Sequence, residues 1–137
     1  MEIKKLGVLG CGQMGSGIVQ VFAQAGYEVV AVDTVPAMIE KGLKGIEKRL
    51  MGRVDKGKMT PDEKNAIMGR IKTSTRLEDL ADCDLIEEAI PEDLELKKKT
   101  FAELDRICKP ETIFGSNTSG LSVTDMAVAT KRPERVM

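Results

Sequence analysis

Three glycines near the start of the sequence have a spacing that suits the binding of linked phosphates. The segment Gly10-Cys11-Gly12-Gln13-Met14-Gly15 directly follows the first apolar run and opens a helical pattern. Gly10 permits a tight turn, Gly12 lets backbone N–H groups approach a pyrophosphate, and Gly15 lets the helix pack closely on the strand. An ordinary glycine turn is the alternative. We therefore predict a dinucleotide site whose loop residues are Gly10, Gly12, Gln13, Met14 and Gly15.

An acidic residue lies where a dinucleotide site needs one. Asp33 ends the next apolar run, roughly 20 residues beyond the glycines, where a carboxylate accepts hydrogen bonds from both hydroxyls of the adenosine ribose. Such a carboxylate repels a 2′-phosphate, and neither Thr34 nor Val35 supplies the arginine that would attract one. A turn aspartate at the end of a strand is the alternative. The pattern predicts NAD, rather than NADP, as the cofactor.

The composition limits the other functions that the chain can have. Its 137 residues include no histidine, so the chain by itself cannot use histidine as a general base. Lys and Arg total 21 against 22 Asp and Glu, and this balance argues against a nucleic-acid partner. The three cysteines are widely spaced, which suggests neither a disulfide framework nor a metal site. No signal or membrane segment is recognised, and a cytoplasmic location fits the cysteine usage.

Alternating strand and helix patterns organise the chain around these residues. Short apolar runs, of the kind buried on both faces of a parallel sheet, occur at 6–9, 28–32, 71–74, 85–90 and 112–115, and 136–137 begins a sixth. The sequence therefore predicts an α/β fold, a doubly wound (Rossmann) parallel sheet, in one domain over 1–137. A ligand is expected in the crevice at the carboxyl ends of the strands.

Helical patterns occupy the intervals between the strands. Gly26 ends the first of them, where a left-handed cap is expected. We expect this helix to face the core with a stripe made of Met14, Ile18, Val21, Phe22 and Ala25.

A helical excursion, longer than a simple crossover, follows the second strand. Its first helix carries a stripe of Ile39, Leu43, Ile46 and Leu50. Thr60 is placed to cap its second helix, and Asp93 is placed to cap the helix before the fifth strand. The core stripe of that last helix is Leu94, Phe101, Leu104 and Cys108.

Longer segments of the sequence resemble the 3-hydroxyacyl-CoA dehydrogenase family. The likeness covers the full length and is carried by 7–18, 21–27, 88–97 and 116–122. It implies NAD-dependent oxidation of an L-3-hydroxyacyl-CoA to the 3-ketoacyl-CoA, with an acyl-CoA as the substrate. In this family a histidine and its glutamate partner follow the part that resembles this chain, and so does a helical C-terminal domain that forms much of a dimer contact. With that domain absent, we expect the chain to bind NAD without turnover, and the full-length protein to be a homodimer.

The resemblance also implies roles for individual residues. Glu92 and Lys97 would lie beside the ribose on the nicotinamide side, and Ala89 would lie near them at the cofactor. Asn117 would seat the nicotinamide ring, and Ser119 matches the serine that hydrogen-bonds the 3-oxygen of the substrate. Helix capping around Glu92 and a plain turn at Ser119 are the alternatives.

Basic residues of the helical excursion resemble the family's arm for coenzyme A. Arg49 and Lys56 lie where basic side chains meet its phosphates in the family. A solvated helix face explains the same residues equally well.

Glu87 departs from the family pattern, which has a branched aliphatic residue at this position of the fourth strand. Adjacent residues of a strand face opposite sides of the sheet, and one of two such carboxylates is expected to point to solvent. Glu87 and Glu88 are therefore not expected to form an acid/base pair.

Two other functions fit parts of the pattern. A related β-hydroxyacid dehydrogenase, acting on 3-hydroxyisobutyrate or 6-phosphogluconate, shares a methionine before the third glycine, but Asp33 and 116–119 speak against it. A noncatalytic relative could keep NAD binding without the chemistry.

Overall fold

The structure, a computed structural model, describes residues 3–89 and 94–116. Five parallel strands form one sheet in the order β3-β2-β1-β4-β5. Their bounds are β1 (Lys5–Leu9), β2 (Glu28–Val32), β3 (Ile71–Ser74), β4 (Leu85–Glu88) and β5 (Ile113–Ser116). The order of the strands reverses between β1 and β4, so a ligand crevice is expected where the carboxyl ends of these two strands meet. The predicted doubly wound parallel sheet is confirmed.

Helices cover both faces of the sheet. They are α1 (Gln13–Gln24), α2 (Pro36–Asp55), α3 (Pro61–Gly69) and α4 (Leu94–Ile107), with a short 3-10 helix at Leu77–Leu80. One core, which includes Val8, Val29 and Ala31, packs beneath the first three helices. The other core, which includes Ile86 and Phe114, packs beneath the 3-10 helix and α4. The predicted excursion after the second strand is thus confirmed as α2 and α3.

Local signals at two helix ends act as the sequence predicts. The Thr60 hydroxyl accepts a hydrogen bond from the Glu63 N–H at 3.1 Å, which satisfies one of the unpaired amides that begin α3. Gly26 follows α1 with a φ of +101°, a left-handed conformation in which a side chain would be strained.

The expectation for the buried face of α1 is correct only in part, because Ile18 and Phe22 of the stripe pack against the core while partly buried. Met14 and Val21, which were expected in the core, are 58% and 62% exposed. The residues that α1 buries are Gly15, Ser16, Val19, Gln20 and Ala23. Because α1 lies close to the sheet and to α2, small side chains such as Gly15 and Ala23 fit the interface, and Met14 and Val21 face outward.

The ends of β4 and β5 also differ from the predicted bounds. β4 ends at Glu88 instead of residue 90, although the Ala89 N–H still donates to the Leu9 carbonyl at 2.8 Å. β5 begins at Ile113 because the Thr112 N–H donates to the Lys109 carbonyl at 3.2 Å, in a turn before the strand. The predicted sixth strand at 136–137 and the Asp93 cap lie outside the described residues.

A buried aspartate fastens the amino edge of the sheet. The Asp84 carboxylate accepts hydrogen bonds from the N–H groups of Lys4 and Lys5, at 2.8 and 3.1 Å, and pairs with the Lys109 ammonium. These contacts lower the pKa of Asp84 to about 2, the Lys109 hydrogen bond having the largest effect. Asp84 therefore joins β1, β4 and the segment before β5.

None of the helices in the described part of the chain has the length and apolar character needed to cross a membrane.

Candidate cofactor site

The glycine loop connects β1 to α1 at the carboxyl edge of the sheet. Gly10 has a φ of +106°, and its N–H donates to the Val32 carbonyl of β2 at 2.7 Å. A Cβ on Gly15 would overlap the Gly10 carbonyl oxygen, so no side chain fits at position 15. The turn and the close packing predicted for these two glycines are both present.

Gly12 is explained differently from its neighbours. Its φ of −66° is open to any residue. A Cβ there would meet only the Met38 Cε at 3.6 Å, an ordinary van der Waals contact. Neither packing nor backbone conformation in the described chain thus requires glycine at position 12, whereas a phosphate approaching the N-terminus of α1 does. The loop therefore fits the pyrophosphate of a dinucleotide.

Asp33 holds the glycine loop in place. Its carboxylate accepts hydrogen bonds from the N–H of Cys11 and the N–H of Val35, both at 2.9 Å. The contact with Val35 is the turn interaction given above as the alternative function of Asp33. The contact with Cys11 joins the end of β2 to the loop after β1. Each carboxylate oxygen can accept a further hydrogen bond, so a ribose hydroxyl is compatible with these contacts. Recognition of the ribose by Asp33 remains a prediction.

The thiol of Cys11 lies beside this carboxylate. Burial, with a smaller contribution from Asp33, raises the pKa of Cys11 to about 11. Cys11 therefore stays a neutral thiol near pH 7 and is unsuited to act as a nucleophile.

A small apolar cleft of about 100 Å³ opens next to Asp33. Leu96 is 45% exposed there, and the Thr100 hydroxyl donates to its carbonyl at 2.7 Å on the same side of α4. An apolar slot beside Asp33, the carboxylate predicted to bind the ribose, has the character that an adenine ring needs. Sequence reasoning missed α4 and the 3-10 helix as walls of this cleft, although Leu96 stands outside the core stripe of α4 and could have signalled it. The lining residues are Leu9, Gly10, Asp33, Thr34, Leu77, Leu96 and Thr100.

Lys97 is buried in an ion pair. Its ammonium lies 3.3 Å from Oε1 of Glu88, the last residue of β4, and the two side chains are 2% and 0% exposed. Sequence reasoning assigned Lys97 to the cofactor and missed Glu88 as its partner. The signal was present in the sequence as a carboxylate at the end of an apolar strand.

Ala89 lies against the glycine loop. Its Cβ is 3.5 Å from the point that a Cβ on Gly15 would occupy. A larger residue at position 89 would press on the loop, which agrees with a place at the cofactor. Three other residues with predicted roles, Glu92, Asn117 and Ser119, lie outside the described residues.

Arg49 and Lys56 line one open cleft on α2, of about 530 Å³. The Arg49 Nε donates to the Gln20 side chain at 2.6 Å, and its guanidinium also approaches the Ser16 hydroxyl at 3.4 Å. Gln20 and Ser16 thus orient Arg49, and sequence reasoning did not find them. The residues of this basic cleft are Lys48, Arg49, Gly52, Arg53, Lys56 and Lys58.

Glu87 faces the side of the sheet opposite to Glu88, as the alternation predicts. It lies over Gly115 of β5, where a Cβ would overlap its carboxylate, and beside the outward stripe of α1. Burial raises the pKa of Glu87, with a smaller effect from Glu88. Glu88 is buried, whereas Glu87 is partly exposed and lines an open cleft, so Glu87 is the carboxylate of the two that has access to solvent. They share no site and form no acid/base pair.

Among residues 3–89 and 94–116, no group of His, Cys, Asp or Glu side chains could hold a metal ion.

Curated proteins similar to this chain are 3-hydroxybutyryl-CoA dehydrogenases. The probable enzyme of Bacillus subtilis (strain 168) is 46% identical over 137 residues, which are 100% of this chain and 48% of that protein. The enzyme of Clostridioides difficile is 45% identical over 133 residues, covering 97% of this chain and 47% of its own length. The chain therefore spans about half the length of these curated relatives.

Solved structures agree with the fold and with this likeness. The crystal structure of FadB2 from M. tuberculosis superimposes with a TM-score of 0.94 at 42% identity, covering 99% of this chain and 48% of that one. The 3-hydroxybutyryl-CoA dehydrogenase of Escherichia coli K12 gives a TM-score of 0.95 at 38% identity, covering 99% of this chain and 29% of its own.

The sequence profile described as "3-hydroxyacyl-CoA dehydrogenase, NAD binding domain" matches residues 5–137. This range includes the glycine loop and Asp33, and the predicted cofactor, NAD, is confirmed by it. Because the match covers nearly the whole chain, the chain belongs to the 3-hydroxyacyl-CoA dehydrogenase family, as its NAD-binding domain.

Proposed function

We propose that this chain is the cofactor-holding part of an NAD-dependent enzyme that interconverts (S)-3-hydroxyacyl-CoA and 3-ketoacyl-CoA. The observation that carries the proposal is Gly12, a glycine that nothing else in the described chain requires, at the N-terminus of α1 beside the Asp33 carboxylate. The names of the relatives, which are 3-hydroxybutyryl-CoA dehydrogenases, support a four-carbon substrate.

The residues divide between binding and orientation. The chemistry that NAD would supply when bound is acceptance of a hydride from carbon 3 of the substrate. Lys97, Glu92 and Asn117 hold its nicotinamide half, and Ser119 hydrogen-bonds the 3-oxygen. A base must remove the hydroxyl proton as the ketone forms, and this chain contains no histidine to serve as that base. The chain alone therefore binds NAD, with reduced affinity, and does not catalyse turnover.

The basic cleft on α2 is the proposed site for the coenzyme A phosphates. Arg49 is held by hydrogen bonds to Gln20 and Ser16. The other four basic residues of the cleft surround a space open to solvent, which suits the phosphate groups of a bound ligand. Calorimetry with coenzyme A is expected to show weaker binding for Lys56→Gln, whereas Lys41→Gln, an exposed change on the same helix outside the cleft, leaves binding unchanged. Equal binding by both variants would favour a solvated helix face.

The proposed location, pathway and oligomeric state of the whole protein rest on the similarity to 3-hydroxybutyryl-CoA dehydrogenases. We propose a cytoplasmic enzyme of fatty acid or butanoate metabolism, active as a homodimer through a part that this chain does not include.

Two measurements on the purified chain test the proposal that it binds NAD and that another part of the protein supplies the general base. Calorimetry with NAD is expected to show binding at one site. NADH absorbance in the presence of acetoacetyl-CoA is expected to stay constant, because the group that would donate a proton to the 3-oxygen in this direction, the base of the reverse reaction, is missing. Steady oxidation of NADH would contradict the assignment of catalysis to another part of the protein, and absence of heat with NAD would contradict the cofactor site.

A further inference from the structure

The ion pair between Glu88 and Lys97 is the most deeply buried charged group in the described chain. The two side chains are 0% and 2% exposed, among apolar neighbours that include Ile86, Phe101 and Phe114. Replacing such a pair with apolar residues is often neutral or stabilising, because removing two charges from water costs free energy that their attraction barely offsets. Stability alone therefore gives a weak reason for this pair.

The location of the pair suggests another reason. Glu88 ends β4 and is in register with Leu9, the residue before the glycine loop, and with Ser116, the last residue of β5. Lys97 reaches it from α4, next to Leu96 of the adenine cleft. The ammonium thus lies at the carboxyl edge of the sheet, at the point where the strand order reverses.

We infer that Glu88 is a positioning residue, which fixes the Lys97 ammonium for the nicotinamide half of the dinucleotide. This inference rests on the proposed function, in which Lys97 belongs to that half of the site. Glu88 acts through Lys97: a carboxylate inside the sheet holds a flexible lysine side chain in one orientation before the cofactor arrives. Loss of Glu88 should consequently weaken binding of the complete dinucleotide and leave the adenosine half unaffected.

A comparison of two ligands tests the inference. NAD carries both halves, whereas ADP carries the adenosine and the two phosphates without the nicotinamide ribose. Calorimetry with Glu88→Gln is expected to show NAD binding weakened about tenfold, the effect of losing one charge-assisted contact, with ADP affinity unchanged. Asp84→Asn is the matched control, because it breaks a carboxylate–lysine pair at the other end of the same strand and should change neither affinity.

A second variant covers the case in which Glu88→Gln does not fold. The double change Glu88→Leu with Lys97→Met replaces the pair by apolar residues and should retain stability. It is expected to bind NAD no better than it binds ADP.

Three results would overturn the inference: wild-type NAD affinity no higher than ADP affinity, an unchanged NAD-to-ADP ratio in the folded variants, or equal weakening of both ligands. A wild-type chain that binds neither ligand would instead overturn the proposed function. The two failures are therefore distinguishable.

Discussion

Asp84 and Asp33 lie at opposite edges of the sheet, and each carboxylate accepts hydrogen bonds from two backbone N–H groups. Asp84, at the amino edge, has a side chain that is 9% exposed and also pairs with Lys109. Asp33, at the carboxyl edge, is half-buried and lines the adenine cleft. The same residue type thus joins strands at one edge and borders an open cleft, the proposed adenine site, at the other.

The difference shows how surroundings decide the use of a carboxylate. At the amino edge the chain itself supplies the charge that compensates Asp84. At the carboxyl edge Asp33 meets backbone N–H groups and an open cleft, so a ligand can add to its contacts. Substitutions at the amino edge should therefore change stability, and most substitutions at the carboxyl edge should change binding.

Gly15 is the largest expected exception to this division, because it lies at the carboxyl edge and yet is required by packing. Gly15→Ala would force its Cβ into the Gly10 carbonyl oxygen and should destabilise the fold by about 3 kcal/mol or more. Urea unfolding measures this loss. Gly17→Ala is the control, since a Cβ there meets nothing within 4 Å and alanine should stabilise α1 by roughly 0.5–1 kcal/mol. Similar stabilities for the two variants would refute the packing argument.

Asp84→Asn should give the next largest effect, confined to stability. Removing the charged acceptor of the Lys4 and Lys5 N–H groups is expected to cost about 2 kcal/mol at pH 7. Because folding depresses the pKa of Asp84 from 3.8 to about 2, its contribution is complete above about pH 5 and is lost as the pH falls toward 2.

Urea unfolding as a function of pH checks this expectation. The variant should lose less stability than the wild type between pH 5 and pH 2, while NAD affinity stays the same. Asp82→Asn is the control, because its pair with Lys5 is at the surface and contributes little. If the wild type and Asp84→Asn respond identically to acid, Asp84 does not fasten the amino edge.

Asp33→Ala should have the smallest effect on free energy and the clearest effect on specificity. We expect NAD affinity to fall about tenfold and NADP affinity to fall less or to rise, since the repulsion of a 2′-phosphate is removed. Calorimetry with both cofactors gives the ratio, and Asp84→Asn supplies the comparison at the other edge. An unchanged ratio would mean that Asp33 serves only to hold the loop.

The parts of the molecule that the sequence predicted correctly depend on local patterns. β2 has the predicted bounds because an apolar run bounded by turn residues marks a buried strand. β3 also has the predicted bounds, although it is an edge strand whose residues are partly buried or exposed. The glycine loop was recognisable because its turn, its helix N-terminus and its packing all lie within one short segment.

The parts that the sequence missed depend on tertiary packing. Met14 and Val21 of α1 were assigned to the core because they are large and apolar, whereas the close approach of α1 to the sheet selects small residues such as Gly15 and Ala23. The walls of the adenine cleft were missed because the fold, and no sequence motif, brings α4 to β2. The partnership of Glu88 with Lys97 likewise depends on how α4 packs on β4.

Gly12→Ala tests the central claim most directly, because no close contact and no backbone conformation in the described chain requires glycine at this N-cap of α1. Calorimetric titration with NAD, together with thermal unfolding, should show binding reduced at least about tenfold in the variant and an unfolding temperature close to, and slightly below, that of the wild type, because alanine is a poorer helix N-cap than glycine. Unchanged NAD binding by a folded Gly12→Ala chain would contradict the claim that the loop after β1 holds the pyrophosphate.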